Sequence, residues 1–107
     1  MGATVAVLGG GAWGSALTVH LAVRSHARPR VVLYLRSARQ AHDCAAAREN
    51  ARYLPGITLP ASLIFTTELA DLRDAEVLIA ATPVAGLVPL AAELVAHRLA
   101  APLVLAC

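Results

Sequence analysis

The sequence predicts an α/β fold in which short buried strands alternate with helices and form a mainly parallel sheet. Three observations predict it. Short apolar runs alternate with segments of helical periodicity, the connections between them are short, and 58% of the 107 residues are hydrophobic. A mean hydropathy of +0.65 suits strands that are buried on both faces of a parallel sheet. We therefore expect one compact domain over residues 1–107.

Five strands are predicted in chain order, each as an apolar run bounded by glycine, proline or polar residues. The fifth contains Leu103, Val104 and Leu105 and is expected at an unpaired edge of the sheet, where the chain could self-associate unless the strand order places another strand beside it. The predicted strands cover residues 4–8, 31–35, 63–66, 77–81 and 103–106.

Helices are predicted between the strands, beginning with one from about residue 12 to Arg24. Trp13, Ala16, Leu17 and Leu21 are expected near one stripe, its packed stripe. Ser37 is expected to cap the second helix, and Thr67 a brief helical turn. The segment from residue 50 to 61 contains Pro-Gly and a further proline, and it is predicted to be a loop. The later helices and turns are expected at residues 38–49, 69–72 and 85–97.

Composition argues against several classes of protein. The most apolar stretch, residues 77–92, is broken by two prolines and a glycine and is shorter than the ~20 residues of a membrane span. No signal peptide is visible. A net charge of +2 with scattered arginines gives little support for nucleic-acid binding. The four histidines lack the spacing of metal ligands, and Cys44 and Cys107 are too few for a disulfide framework, which suits the cytoplasm.

The glycine-rich turn after the first predicted strand points to a ligand. Residues 9–14 match the pattern G-x-G-x-x-G, with a strand before, a helix after and a second strand within ~30 residues. Gly9 permits the tight turn, Gly11 lets the backbone approach a pyrophosphate, and Gly14 lets the helix pack against the strand. The helix N-terminus offers N–H groups to the phosphates. Residues 3–36 are therefore predicted to form the dinucleotide-binding unit of a Rossmann-type three-layer domain; a glycine-rich turn without a ligand is the alternative.

The end of the second strand indicates which nicotinamide cofactor fits. NAD sites usually place Asp or Glu there for the ribose 2′-hydroxyl, whereas arginine accommodates a 2′-phosphate. This chain has Arg36 and Arg39, and its first acid, Asp43, lies inside the following helix. NADP(H) is therefore the preferred cofactor and NAD(H) the alternative. The two arginines could instead be solvated surface residues.

Thr82 and Pro83 follow the fourth predicted strand. Ligands lie at this end of the strands in open α/β sheets, which makes Pro83 a candidate cofactor-binding residue. A proline that simply ends a strand explains the same pair equally well.

Two stretches closely resemble bacterial NAD(P)-dependent glycerol-3-phosphate dehydrogenases. The first is VLGGGAWGSAL at residues 7–17, and the second is RENARYLPGITLP at residues 48–60. The second stretch is the more specific, because R-E-N-x-x-Y-L-P-G-I-x-L-P is peculiar to that family. The Thr-Pro pair after the fourth strand is also similar, so the resemblance covers nearly the whole chain.

The resemblance implies a cytoplasmic enzyme that interconverts dihydroxyacetone phosphate and sn-glycerol 3-phosphate for phospholipid synthesis. It implies cofactor contacts at Ala12 and Trp13 of the glycine loop (residues 9–14), at Arg36 and at Tyr53. For Tyr53, a packing role is an equal alternative. Ala12 departs from the serine of many members, which removes a side-chain hydrogen bond. A homodimer is one of the oligomeric states left open.

The chain contains no lysine. By the same resemblance, a Lys-Gly pair follows the family's fifth strand, and a catalytic lysine lies in a helical C-terminal domain. Without an ammonium group the chain cannot polarise a ketone or protonate the alkoxide formed from it. We therefore expect a truncated domain of about five strands, without catalytic residues, that binds the cofactor weakly and does not turn over.

Two rival functions stay open at this point. The chain could be a stand-alone dinucleotide-sensing module, or part of another NADP-dependent dehydrogenase of the 2-hydroxy-acid or ketopantoate type. Residues 48–60 argue against the second rival.

Overall fold

Five parallel strands form one sheet in the part of the chain that the structure describes. This structure is a computed structural model, and it describes residues 4–9, 11–24, 30–50, 56–60, 62–82, 84–99 and 101–105. The strands are β1 (Thr4–Leu8), β2 (Arg30–Tyr34), β3 (Ile64–Thr66), β4 (Val77–Ala80) and β5 (Leu103–Leu105). Their order across the sheet is β3-β2-β1-β4-β5.

Helices cover both faces of this sheet. One face carries α1 (Ala12–Arg24) and α2 (Ala38–Ala47). The other carries a 3₁₀ turn (Leu69–Leu72) and α3 (Leu87–Ala96), which a second 3₁₀ turn (Val84–Gly86) precedes. The predicted Rossmann-type three-layer fold is confirmed. None of the described helices is both long enough and apolar enough to span a membrane.

Each face of the sheet has its own hydrophobic core, because alternate residues of a strand point to opposite faces. Burying each large apolar side chain contributes about 1.5–3 kcal/mol. The core under α3 consists of Ala6, Leu8, Val32, Tyr34, Leu69, Leu72, Ala75, Leu78, Ala80, Leu90 and Leu94. The core under α1 and α2 consists of Val7, Val31, Leu33, Leu35, Cys44, Leu59 and Leu63.

Several predicted boundaries differ from the structure by one residue. β2 begins and ends one residue earlier than predicted, β3 begins one later, and β4 ends one earlier. The flanking residues still belong to the hydrogen-bonded network: the Leu35 amide donates to the Thr66 carbonyl (2.9 Å), and the Ala81 amide to the Leu8 carbonyl (2.9 Å). The strand pairing therefore continues slightly beyond the regular ladder, as is usual at element ends.

The packed face of α1 differs from the prediction. Trp13 is 57% exposed, so its place on the packed stripe is wrong. The buried residues of the helix are small ones, Gly14, Ser15 and Thr18. A helix that approaches the sheet this closely has no room for an indole on its inner side.

Two helix starts also differ from the prediction, and one is confirmed. Ser37 caps α2 as predicted, accepting a hydrogen bond from the Gln40 amide (3.1 Å). Thr67 does not cap the first 3₁₀ turn; the buried Thr66 hydroxyl instead accepts from the Glu68 amide (3.1 Å) and donates to the Asp71 carboxylate (2.5 Å). The helix predicted at residues 85–97 begins as a 3₁₀ turn, becomes α-helical at residue 87 and ends before His97.

β5 is the outermost of the described strands on its side of the sheet, paired with β4. Its side chains Leu103 and Val104 are 40% and 49% exposed. We expect the 107-residue polypeptide to self-associate through this edge, because an apolar unpaired strand is a template for pairing with another chain. Light scattering should show an apparent mass that rises with concentration, and Val104→Lys should reduce the rise. The Val23→Lys variant, which adds the same charge at the exposed end of α1, should not. A monomer at high concentration contradicts this prediction.

Candidate nucleotide-binding site

The glycine loop leaves the sheet between the ends of the two strands that flank β1. Leu8 is in register with Tyr34 of β2 and with Ala80 of β4. The Gly9 amide donates to the Tyr34 carbonyl (3.1 Å), and the Thr82 hydroxyl donates to the Leu8 carbonyl (3.3 Å). The strand order reverses at β1, since β2 and β3 lie on one side of it and β4 and β5 on the other. Crevices at such a switch point are the usual ligand sites of open α/β sheets.

Gly9 makes the turn out of β1. Its φ of +123° lies in a region that side-chain-bearing residues rarely adopt. A Cβ atom at this position would also lie 3.1–3.2 Å from backbone atoms of Ala81 and Thr82. Both the conformation and the contact with the end of β4 therefore require glycine.

Gly14 is required by the packing of α1. A Cβ atom there would collide with the Gly9 carbonyl oxygen and come within 3.3 Å of the Ala81 Cβ. The Gly14 carbonyl accepts a hydrogen bond from the buried Thr18 hydroxyl (2.6 Å). The first turn of α1 thus lies directly against the glycine loop, which aims the helix N-terminus at the carboxyl edge of the sheet.

Gly11 differs from the other two glycines because neither the backbone conformation nor the packing requires a glycine at this position. Its φ is outside the positive range, and among the described residues no heavy atom lies within 4 Å of a Cβ built on it. Its carbonyl accepts the first hydrogen bond of α1, from the Ser15 amide (2.9 Å). The space beside Gly11 is open, next to the positive end of a 13-residue helix. This is the geometry in which a backbone can approach an anionic ligand closely.

Ala12 and Trp13 form the start of α1, and both are exposed. Their positions put backbone N–H groups of the first helical turn next to Gly11 in the chain, and the Trp13 side chain is 57% exposed. The Ala12 side chain has no polar atom, so Ala12 can hydrogen-bond a ligand only through its backbone.

Arg36 lies two residues beyond the end of β2, on the same side of the sheet as Tyr34. Its guanidinium Nη2 donates to the Glu93 carboxylate of α3, with 3.0 Å between Nη2 and Oε1. Burial raises the pKa of the Tyr34 hydroxyl, and Glu93 and Glu68 raise it further while Arg36 lowers it. The corner therefore carries a guanidinium and two carboxylates around a buried phenol. Arg39 is exposed on α2.

The motif at residues 48–60 ties α2 to the following loop. Arg48 ends α2 in the left-handed conformation with a φ of 53°. Its carbonyl accepts from the Leu59 amide (2.6 Å), and its guanidinium donates to the carbonyls of Pro60 and Leu63. The same guanidinium lies over the Phe65 ring, 5.2 Å from its centroid. One side chain thus fastens both ends of the loop to β3.

The next two residues of the motif connect the loop to itself and to α1. A Glu49 carboxylate oxygen accepts from the Gly56 amide (3.2 Å). Asn50 is buried, and its Nδ2 donates to the buried Ser15 hydroxyl (2.7 Å) in the first turn of α1. Sequence reasoning assigned no role to this buried pair, although polar residues inside a specific motif were a signal that could have found it. The pair fixes the start of α1 relative to the loop.

The sequence-predicted site residues fall into two groups. Gly9, Gly11, Ala12, Trp13 and Gly14 lie together at the carboxyl end of β1, and Arg36 lies at the end of the neighbouring β2. Tyr53 and Pro83 lie outside the described residues.

Comparison with known proteins agrees with the resemblance found in the sequence. Residues 4–107 match a family model described as the NAD-dependent glycerol-3-phosphate dehydrogenase N-terminus. A protein of Nitrosomonas eutropha named glycerol-3-phosphate dehydrogenase [NAD(P)+] is 41% identical to this chain over 104 residues. These residues are 96% of this chain and 30% of that protein. One from Ralstonia nicotianae is 48% identical over 99 residues, 87% of this chain and 28% of that protein. The chain thus spans under a third of the length of these relatives.

Solved structures show the same fold. A glycerol-3-phosphate dehydrogenase of Plasmodium falciparum superposes with a TM-score of 0.86 at 23% identity, over 97% of this chain and 32% of that one. The enzyme of Coxiella burnetii superposes with a TM-score of 0.67 at 28% identity, over 74% of this chain and 24% of that one.

Proposed function

Because the chain belongs to the family of NAD-dependent glycerol-3-phosphate dehydrogenase N-terminal domains, we propose that it binds a nicotinamide dinucleotide, NADP(H) in preference to NAD(H). The pyrophosphate lies against the glycine loop and the N-terminus of α1, and the 2′-phosphate of NADP(H) lies at Arg36. Gly9 and Gly14 shape the loop, whereas Gly11, Ala12 and Trp13 face the cofactor.

The open space at Gly11 is the observation that carries this proposal. The conformation of Gly9 and the packing of Gly14 account for those two glycines within the protein itself. Gly11 has neither a positive φ nor a described neighbour that a side chain would strike. Close approach of a phosphate to the backbone is the remaining physical reason for a glycine at this position.

Arg36 supports the preference for NADP(H). Its side chain is 64% exposed, so the guanidinium can turn towards a ligand at low cost. A guanidinium binds a phosphate through two parallel charge-assisted hydrogen bonds. A carboxylate at the same position would repel the 2′-phosphate and instead favour NAD(H). Tyr53 and Pro83 remain proposed cofactor contacts.

For the whole enzyme we propose the interconversion of dihydroxyacetone phosphate and sn-glycerol 3-phosphate, in the service of phospholipid synthesis. When bound, the reduced nicotinamide would supply the hydride for the C2 carbonyl carbon of dihydroxyacetone phosphate, whose oxygen would need a proton from a donor. The residues of this chain bind and orient the cofactor. Because the chain contains no lysine, it has no ammonium group to hold the carbonyl oxygen or protonate it. The 107-residue polypeptide is therefore proposed to bind the cofactor without turnover.

The proposed compartment is the cytoplasm, which the small number of cysteines supports: Cys44 is free and buried, and the sequence contains one further cysteine. The proposed partners of the whole enzyme are its two phosphate substrates. A homodimer remains a prediction, and nucleic acid is not among the proposed partners.

Cofactor binding can be tested with the fluorescence of Trp13, the sole tryptophan of the chain, at the proposed site. Titration with NADPH is expected to change this fluorescence saturably, and titration with NADH to do so with a higher dissociation constant. Absence of a saturable change with both cofactors, checked by calorimetry, would contradict the proposed function.

Gly11→Ala is expected to weaken NADPH binding about tenfold to a hundredfold without changing stability. The added methyl group enters space that no described residue occupies, but it displaces the phosphate from backbone groups whose charge-assisted bonds are worth about 1.5–3 kcal/mol. The dissociation constant measures the first effect, and urea unfolding of the same variant measures the second. Unchanged NADPH affinity in a folded variant would show that the ligand does not approach Gly11.

A further inference from the structure

The ion pair between Arg36 and Glu93 joins the proposed 2′-phosphate corner to α3. Glu93 lies six residues after the start of α3, about 9 Å along the helix axis. Because α3 follows β4, the helix begins near the carboxyl edge of the sheet. Glu93 therefore lies further from the cofactor corner than the start of the helix does. The guanidinium that should meet the phosphate is thus held against the helix by a carboxylate, Nη2 to Oε1 at 3.0 Å.

The pair can open, because neither partner is buried: the two side chains are 64% and 40% exposed. Exposed ion pairs add little to stability, so a stronger anion can take the guanidinium from Glu93. A 2′-phosphate is such an anion, since it can carry two negative charges and accept two parallel hydrogen bonds from arginine. NADH carries a neutral 2′-hydroxyl at this position, which has no negative charge with which to compete for the guanidinium, so the pair stays closed.

We infer that Glu93 is a specificity-determining residue, which competes with the 2′-phosphate for Arg36 and so moderates the preference for NADPH over NADH. The inference rests on the proposed function. It assigns the tuning of cofactor choice to a residue 57 positions from Arg36 in sequence. The competition acts through the ion pair, because the carboxylate must be displaced from the guanidinium before the phosphate can bind it.

Glu93→Gln separates charge from geometry. Glutamine keeps an oxygen that can accept a hydrogen bond from Arg36, but it removes the negative charge. We expect its dissociation constant for NADPH to fall about threefold to fivefold at low salt, with that for NADH unchanged. Glu76→Gln is the matched control, because Glu76 is an exposed carboxylate just before β4, at the amino ends of the strands and so opposite the proposed site. It changes the net charge equally and should leave the ratio of the two constants unaltered.

Arg36→Gln completes the cycle. It should raise the dissociation constant for NADPH about tenfold or more and leave that for NADH unchanged. In this background Glu93→Gln should have no effect on either constant. If Glu93→Gln behaves like Glu76→Gln, or weakens NADPH binding, the competition is refuted while the proposed function stands. If Arg36→Gln leaves NADPH binding unchanged, the assignment of Arg36 to the 2′-phosphate fails, and this inference fails with it.

Discussion

Replacing Gly14 with alanine is expected to lower the free energy of unfolding by about 3 kcal/mol or more, or to prevent folding altogether. The added Cβ would overlap the Gly9 carbonyl oxygen, a backbone atom that cannot move without disturbing the turn out of β1. In an ordinary helix the same change stabilises by up to about 1 kcal/mol, because alanine is the better helix former. A loss of stability in place of this gain would therefore result from the close approach of α1 to the glycine loop.

Urea unfolding followed by circular dichroism measures this loss. Gly11→Ala is the matched control, because it adds the same methyl group three residues earlier in the same loop, where no described atom lies nearby. Its unfolding free energy should lie within about 0.5 kcal/mol of the unchanged chain. Equal stability of the two variants would contradict the packing of α1 described above.

The layered fold could be predicted from the sequence because each strand is an apolar run and the connections alternate with helices. The predictions that were wrong concern features that depend on the distances between helices and strands. Periodicity placed Trp13 on the packed stripe of α1, since large apolar residues usually face the core. The close contact at Gly14 instead selects the face with small residues, and Trp13 is left exposed. No local pattern reports how closely a helix approaches a sheet.

The candidate site shows the same division. The spacing of Gly9 and Gly14 was sufficient to predict the turn and the close packing that the structure shows at these residues. For Arg36, the neighbouring sequence allows either a phosphate ligand or a solvated surface residue. Its partner Glu93 lies on α3, 57 positions later in the chain, and long-range pairs of this kind leave no signal in a single sequence.

The contacts of Arg48 were missed for a related reason, and they lead to the second large effect. Arg48→Met is expected to lower the free energy of unfolding by about 2–3 kcal/mol. Methionine keeps much of the side-chain length that packs against Phe65, but it cannot donate hydrogen bonds to the carbonyls of Pro60 and Leu63. Bonds from a charged donor are worth about 1.5–3 kcal/mol each, and the loss is reduced because Pro60 also accepts from the Leu63 amide.

Urea unfolding again measures the effect, with Arg73→Met as the control, because Arg73 is exposed and loses the same charge. Arg48→Lys should fall between the two, since an ammonium group retains the charge but lacks the planar guanidinium, which lies over the Phe65 ring while its Nη2 donates to both carbonyls. Equal stability of Arg48→Met and Arg73→Met would mean that the contacts of Arg48 add nothing to the fold. If the unfolding free energy instead falls in the order Arg73→Met, Arg48→Lys, Arg48→Met, the arginine of the R-E-N motif holds the loop on β3. The loop then keeps Asn50 in position to bind Ser15 at the start of α1.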